Sequence, residues 1–229
     1  MSTMVKEVKK AYQLSVDAVV DRLETSSETG LSAEEARRRL SEYGRNELER
    51  KREKPAWYLL IEQFLSPLMG VLALAAGLAF FFQDYLEAVA ILFVIVINAI
   101  IGFSMEWQAR RSMEALRRLS ESMATAIRGG TARRIPSAEL VPGDLLLLGA
   151  GDVVPADCRI VQEEQLGVKE AALTGESTQV GKQMERLTGE LPIHDRSNLL
   201  FKGTVVSRGN ARSIVFATGA DTELGAIAD

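Results

Sequence analysis

The spacing of apolar positions changes three times along this chain, and each change predicts a different kind of element. Between Tyr12 and Leu23 they fall at Leu14, Val16, Val19, Val20 and Leu23, the recurrence of a short amphipathic helix. Thr29, Gly30 and Leu31 interrupt it. Ser32 then precedes Ala33, Glu34 and Glu35, an N-cap with a glutamate at its third position, which predicts a second helix through Leu40 to Tyr43, ended by Gly44. From Trp57 to Phe82 the chain is helical in character and continuously apolar from Pro67 onward; from Tyr85 to Met105 it is apolar apart from Glu87, Asn98 and Ser104. A membrane-spanning helix needs about 20 mostly apolar residues, so both tracts are predicted to span. Only Gln83 and Asp84 separate them, which requires a tight hairpin. A basic amphipathic helix from Gln108 to Leu119 is expected to prolong the second span. Beyond Ala124 short runs of Val, Ile, Leu and Ala are broken by turn signals at Gly129-Gly130, Pro142-Gly143-Asp144, Gly149 to Asp152, Gly175, Gly203 and Gly209-Asn210. That texture predicts a β-rich domain.

Charge at the borders of the apolar tracts sets an orientation. Arg50, Lys51, Arg52 and Lys54 precede the first, Arg110, Arg111, Arg117 and Arg118 follow the second, and the turn has no basic residue. By the excess of Lys and Arg on the cytoplasmic side, both ends of the hairpin are expected there. A buried helical hairpin in a large soluble protein is the competing reading.

Composition changes the picture little. Apolar residues make up 47% and charged residues 25%, an average that hides the uneven distribution, and a net charge of -4 argues against a nucleic-acid partner. Cys158 stands alone, so no internal disulfide or thiolate cluster can form, and the single His194 leaves no histidine-rich metal site. The opening MSTMVKEVKK is polar and lacks the apolar core of a cleavable signal peptide.

Three short signals stand in order in the β-rich part: PGD at Pro142 to Asp144, GDVVPADCR at Gly151 to Arg159, and LTGES at Leu173 to Ser177. Each alone could be a turn, because turns select Gly, Pro, Asp and Ser for backbone reasons. Behind a hairpin of this polarity the chain resembles the P-type ATPases. The resemblance is carried by GLSAEEARRRLSEYGRNEL (Gly30 to Leu48), QFLSPLMGVLALAA (Gln63 to Ala76), INAIIGFSMEWQARRSMEAL (Ile97 to Leu116), GDVVPADCR, LTGES, NLLFKGT (Asn198 to Thr204) and ATGADTELGAIA (Ala217 to Ala228).

The resemblance implies a mixed α and β membrane protein in three parts. These are an N-terminal helical segment over 1–54 packing on the actuator, a transmembrane hairpin over 55–107 with spans at about 57–82 and 85–105, and an actuator domain over 108–229. The last comprises a basic stalk helix and a β-rich core like a distorted jelly roll. It implies catalytic roles for Glu176, Thr174, Gly175 and Ser177: Glu176 would orient the water that hydrolyses an aspartyl phosphate, Gly175 would permit close approach, and Thr174 and Ser177 would hold the loop. Asp152, Pro155, Ala156, Asp157 and Arg159 would stabilise the domain, with Asp157 and Arg159 paired. The family usually has a proline where Gln179 stands, and acidic and serine residues at Lys169 and Ala171, whereas Glu170, Val180 and Lys182 match; the departures are expected to loosen the loop or its contacts.

No cofactor-binding or metal-binding residue is expected in the chain. ATP and Mg2+ would serve the complete pump, and since no DKTG phosphorylation sequence is present, this chain alone should neither hydrolyse ATP nor transport. Expected partners are membrane lipid, the phosphorylation, nucleotide-binding and later transmembrane parts of the pump, and the transported cation, calcium first, with sodium, proton and magnesium pumps as alternatives. The expected location is a multi-pass membrane protein with both termini and the actuator cytosolic. Two other readings are a non-catalytic membrane-anchored regulatory or binding module, and a half-enzyme completed by a second chain.

Overall fold

The computed structural model describes residues 8, 10–48, 57–58, 61, 65–119, 122–175 and 178–228. They fall into two compact units, Met1–Glu49 together with Glu121–Asp229, and Arg50–Ser120. The chain therefore leaves the globular unit, builds the apolar helices and re-enters the same unit.

Seven strands form one antiparallel sheet in that unit: β1 (Met123–Arg128), β2 (Thr131–Pro136), β3 (Leu145–Gly149), β4 (Asp157–Lys169), β5 (Gln179–Gly181), β6 (Leu199–Leu200) and β7 (Val205–Ala217). Their order is β2-β1-β3-β7-β4-β5, with β6 paired to β4. The long β4 and β7 pair with register shifts between Asp157/Cys158, Ile160/Gln162, Glu164/Gly167 and Gly167/Val168. Bulges bend a strand and sharpen its twist, so this sheet curls. The β-rich domain expected from the sequence is present.

The run Leu145-Leu146-Leu147-Leu148 does not alternate with polar residues because both faces of the sheet are covered. Leu146 and Leu148 join Ala126, Cys158, Ile160, Ala211 and Val215 on one face; the lone cysteine is thus a packed core residue. Leu145 joins Ile127, Val161, Ile214 and Phe216 on the other, where Val8, Ala11, Tyr12, Val19 and Leu23 cover them. In the covering segment Ala11–Gln13 makes a 3-10 turn and α1 (Val16–Arg22) starts afresh at Ser15, whose hydroxyl accepts from Ala18 N at 3.3 Å. The single helix predicted from Tyr12 to Leu23 is therefore two pieces, because a serine satisfies its hydroxyl better as a cap than inside a helix.

Helix α2 (Ala33–Tyr43) has the limits that the sequence predicts: the Ser32 hydroxyl accepts from Glu35 N at 3.1 Å, and Gly44 closes it. Its Arg39, 1% exposed, fixes it to the sheet. Nη1 donates to Leu23 O at 2.7 Å and to Pro142 O at 3.0 Å, and Nε donates to Glu35 Oε1 at 2.6 Å. Hydrogen bonds from Arg38 and Arg39 hold the Glu35 carboxyl down to about 2. The PGD turn is the socket for this arginine. Gly143 has φ 97, and a β-carbon there would lie 2.5 Å from Arg39 Nη1. Beside it Asp144, fully buried, accepts from Arg128 Nε at 2.8 Å and Nη2 at 2.6 Å and from Val141 N at 2.9 Å, while Thr25 Oγ1 donates to Gly143 O at 2.6 Å.

In the apolar unit, Trp57, Tyr58 and Ile61 are helical as predicted, and after a break at Leu65 and Ser66 the helix α3 (Pro67–Phe81) opens anew with Ser66 as N-cap and Pro67 in its first turn. Residues 59–60 and 62–64 of that predicted span lie outside the described residues. Fifteen residues rise about 22 Å, short of the roughly 30 Å hydrocarbon core. Gln83, with φ 63, turns the chain, and α4 (Tyr85–Leu119) runs on without a break through the expected basic extension. Its segment Tyr85–Ser112 is long and apolar enough to cross a membrane. The two helices meet through Met69, Ile95 and Ala99, with Leu72 and Ile91 beside them, whereas Leu68, Val71, Leu86, Val89 and Phe93 are exposed, as lipid-facing side chains would be.

Arg39→Met leaves the carbonyls of Leu23 and Pro142 buried without their donor, which should cost about 1–3 kcal/mol. Urea unfolding followed by circular dichroism should show the loss; an unchanged midpoint would contradict the socket.

Candidate functional site

The segment that the sequence singles out joins β4 to β5. After Lys169 the chain makes one helical turn, α5 (Ala171–Thr174), and Gly175 ends it at φ 75 and ψ -6, its N–H donating to Ala171 O at 3.1 Å. The chain returns through β5, with Lys169 opposite Gln179 and Gly167 opposite Gly181. Thr174 is therefore the last residue of α5 and Gly175 its C-cap. Glu176 and Ser177 lie outside the described residues. Gly175 is exposed, and among the described residues nothing lies within 4 Å of where a β-carbon would stand. The demand for glycine here comes from the left-handed backbone angle, which other residues adopt at a cost.

The three departures from the resemblance share an environment: Lys169, Ala171 and Gln179 are all exposed. The matching Glu170 and Lys182 are buried. Gln179 has a local role, since its amide fills the space over Gly167, where a β-carbon would meet Nε2 at 2.5 Å.

The remaining signatures converge on Asp157, at the start of β4. It is 1% exposed, and its carboxylate accepts from Lys202 N at 2.8 Å and from Glu223 N at 2.7 Å, joining NLLFKGT to the start of α6 (Glu223–Ala228). Burial pushes its pKa up to about 6, against the two backbone hydrogen bonds that pull it down. Asn46, from the N-terminal segment, completes the junction. Its amide donates to Ser137 O at 3.0 Å and Pro155 O at 2.9 Å, and its Oδ1 accepts from Gly219 N and Lys202 Nζ, each at 2.9 Å. Asn198 similarly donates to Tyr12 O and Glu185 O.

Arg159 does not pair with Asp157 as expected. Its guanidinium donates to four carbonyls, those of Ile160, Asn198, Leu14 and Met184. The reason is the register shift between Asp157 and Cys158: Asp157 turns to the Lys202 and Glu223 amides, and Arg159 turns to the N-terminal segment. Burial lowers the Arg159 pKa to about 10. Nothing in the sequence singles out Asn46 or Asn198 beyond their place in GRNEL and NLLFKGT, because a string does not mark which asparagines donate to distant carbonyls indoors.

A cleft of about 550 Å³ lies beside Asp157, lined among others by Lys10, Tyr12, Glu190, Arg196 and Glu223. Four of these charges are engaged with one another, Lys10 with Glu190 at 2.8 Å and Arg196 with Glu223 at 2.9 Å, and Arg196 also lies 4.8 Å from the Tyr12 ring centre. Among the described residues no group of three or more His, Cys, Asp or Glu gathers that could hold a metal ion.

Asp157 binds its proton more tightly folded than unfolded, so its contribution favours folding below its unfolded pKa of about 3.8 and is lost as pH rises through about 6. Relative to Asp157→Asn, which cannot ionise, the wild type should lose about 2 kcal/mol between pH 4 and pH 7. Denaturant titrations of both proteins across that range test this; a difference independent of pH would contradict it.

Comparison with known proteins matches residues 118–229 to the P-type ATPase actuator domain and residues 11–79 to the cation transporter/ATPase N-terminus. The chain is 41% identical over 220 residues to a sodium/potassium exporting P-type ATPase of Schizosaccharomyces pombe, covering 95% of this chain and 21% of that protein. It is 37% identical over 221 residues to a calcium-transporting ATPase of Bacillus subtilis, covering 96% and 25%. It is 40% identical over 205 residues to a cation-transporting ATPase of Synechocystis, covering 90% and 23%. The chain thus spans about a quarter of the length of these relatives.

Proposed function

Because this chain belongs to the P-type ATPases, as a carrier of the family's N-terminal segment and actuator domain, we propose that it serves an ATP-driven cation pump by promoting hydrolysis of the aspartyl-phosphate intermediate. The observation that carries the reading is the exposed left-handed turn at Gly175, set at the end of two paired strands, with no described atom within 4 Å of where its β-carbon would stand. Such a turn lets a backbone come close to a phosphorylated surface, and it stands immediately before Glu176 in the sequence.

In this reading Glu176 orients a water in line with the phosphorus and takes its proton as the water oxygen bonds to phosphorus. The bond from phosphorus to the aspartyl oxygen breaks, inorganic phosphate leaves, and the carboxylate of the aspartate is restored. Thr174 and Ser177 hold the segment through their hydroxyls. ATP and Mg2+, which the family implies for the whole pump, are assigned to the rest of it, as is the phosphorylated aspartate.

The border charges support a cytosolic actuator and cytosolic ends for both apolar helices, and the exposed apolar faces of those helices support lipid as their surroundings. Calcium is the proposed cargo, on the resemblance of Gly30 to Leu48 and Ile97 to Leu116 to calcium pumps. Since the globular unit includes chain from both sides of the helices, its rotation would pull on both at once and couple hydrolysis to ion access.

In a complete pump carrying this chain, Glu176→Gln should slow phosphoenzyme decay by about 100-fold or more, the usual yield of a positioned general base, with formation from ATP unchanged. Radiolabelled phosphoenzyme measured after a chase decides it. Decay at the wild-type rate would remove the assignment.

A further inference from the structure

The segment carrying Gly175 begins and ends on charges sealed inside the protein. Glu170 is the first residue after β4 and Lys182 the first after β5. They are 2% and 6% exposed, and Lys182 Nζ lies 2.5 Å from Glu170 Oε1. Two features show that this contact is built rather than incidental. Glu170 occupies the N-cap of α5, where a carboxylate ordinarily accepts from the helix's own first amides, yet it makes no such bond. Lysine stems usually carry their charge out to water. The Lys182 side chain instead stays fully enclosed, its ammonium 5.6 Å from the centre of the Phe201 ring, while its backbone N–H extends the strand ladder to Leu166 O at 3.0 Å.

The described elements between the two charges are short. A single helical turn is far too short to be stable by itself, β5 has three residues, and Ala171, Gly175, Thr178 and Gln179 are exposed. Leu173 is half-buried against the N-terminal face of the core. Apolar packing is non-directional, whereas an ion pair in a dry site fixes a distance.

We propose that the Glu170–Lys182 ion pair is the positioning device of the hydrolytic segment, clamping its two stems so that Gly175 is held at a fixed place on the sheet. Neither partner touches the phosphate. The proposal rests on the reading in which Glu176 serves hydrolysis.

A buried pair can be exchanged for apolar residues of similar volume without loss of stability, which separates positioning from mere folding. In the 229-residue chain, E170L/K182M should keep the wild-type melting temperature while amide exchange across residues 171–178 accelerates about 10-fold or more. Should that variant fail to fold, E170Q, which keeps the shape and removes the charge, is measured in its place and should show the same acceleration. Wild-type exchange in a folded variant would overturn the proposal. In a complete pump the same variant should slow phosphoenzyme decay about 10-fold with formation unchanged, and K182R should restore it. If E176Q traps the phosphoenzyme and E170L/K182M does not, the positioning role falls while the hydrolytic reading stands. If E176Q has no effect, the hydrolytic reading falls, and with it the purpose of the clamp, whatever the exchange shows.

Discussion

Leu145, Val161, Ile214 and Phe216 turn away from the sheet's inner core toward a second apolar face, and that face must be covered for the sheet to exist in water. Each such side chain is worth about 1.5–3 kcal/mol when fully buried, and a domain's whole stability is only about 5–15 kcal/mol. Much of the cover comes from a segment more than a hundred residues earlier in the chain: Val8, Ala11, Tyr12, Val19 and Leu23. Apolar contact supplies the attraction but no register. Register comes from buried polar groups that fit one place each: Arg39 in the PGD socket, Asn46 between Ser137, Pro155, Lys202 and Gly219, and Asn198 and Arg159 on the carbonyls of Tyr12 and Leu14.

That arrangement makes the apolar helices an insertion within one globular unit rather than a domain between two others. A hinge on a single linker could turn without consequence for the helices it serves. In the proposed coupling, a unit joined in sequence to the start of one helix and the end of the other would stress both when it turns. This is the physical content of the proposed coupling between hydrolysis and ion access, and it depends on the N-terminal segment staying docked.

The sequence made the outline of this structure legible where one local rule decided the outcome. Ser32 and Gly44 marked both ends of α2, the turn residues marked most strand boundaries, and the length of the apolar tract marked α4. It failed where a distant partner decided. The Asp157–Arg159 pair is plausible on a regular strand, but a register shift sends the two side chains to different partners. Ser15 and Ser66 start helices inside stretches that read as continuous. Between β4 and β5 Gly175 was readable as a turn, whereas the closeness of Glu170 and Lys182 was not, since nothing in the string says that two charges twelve positions apart are both indoors.

The most direct test of this account is the folding of residues 122–228 without the N-terminal segment. The account predicts a domain that binds hydrophobic dyes, lacks a cooperative melting transition, and regains one when a peptide of residues 1–48 is added in trans. A cooperative transition at the temperature of the full chain, indifferent to the peptide, would contradict it: the sheet would then be complete by itself, and the N-terminal segment an accessory.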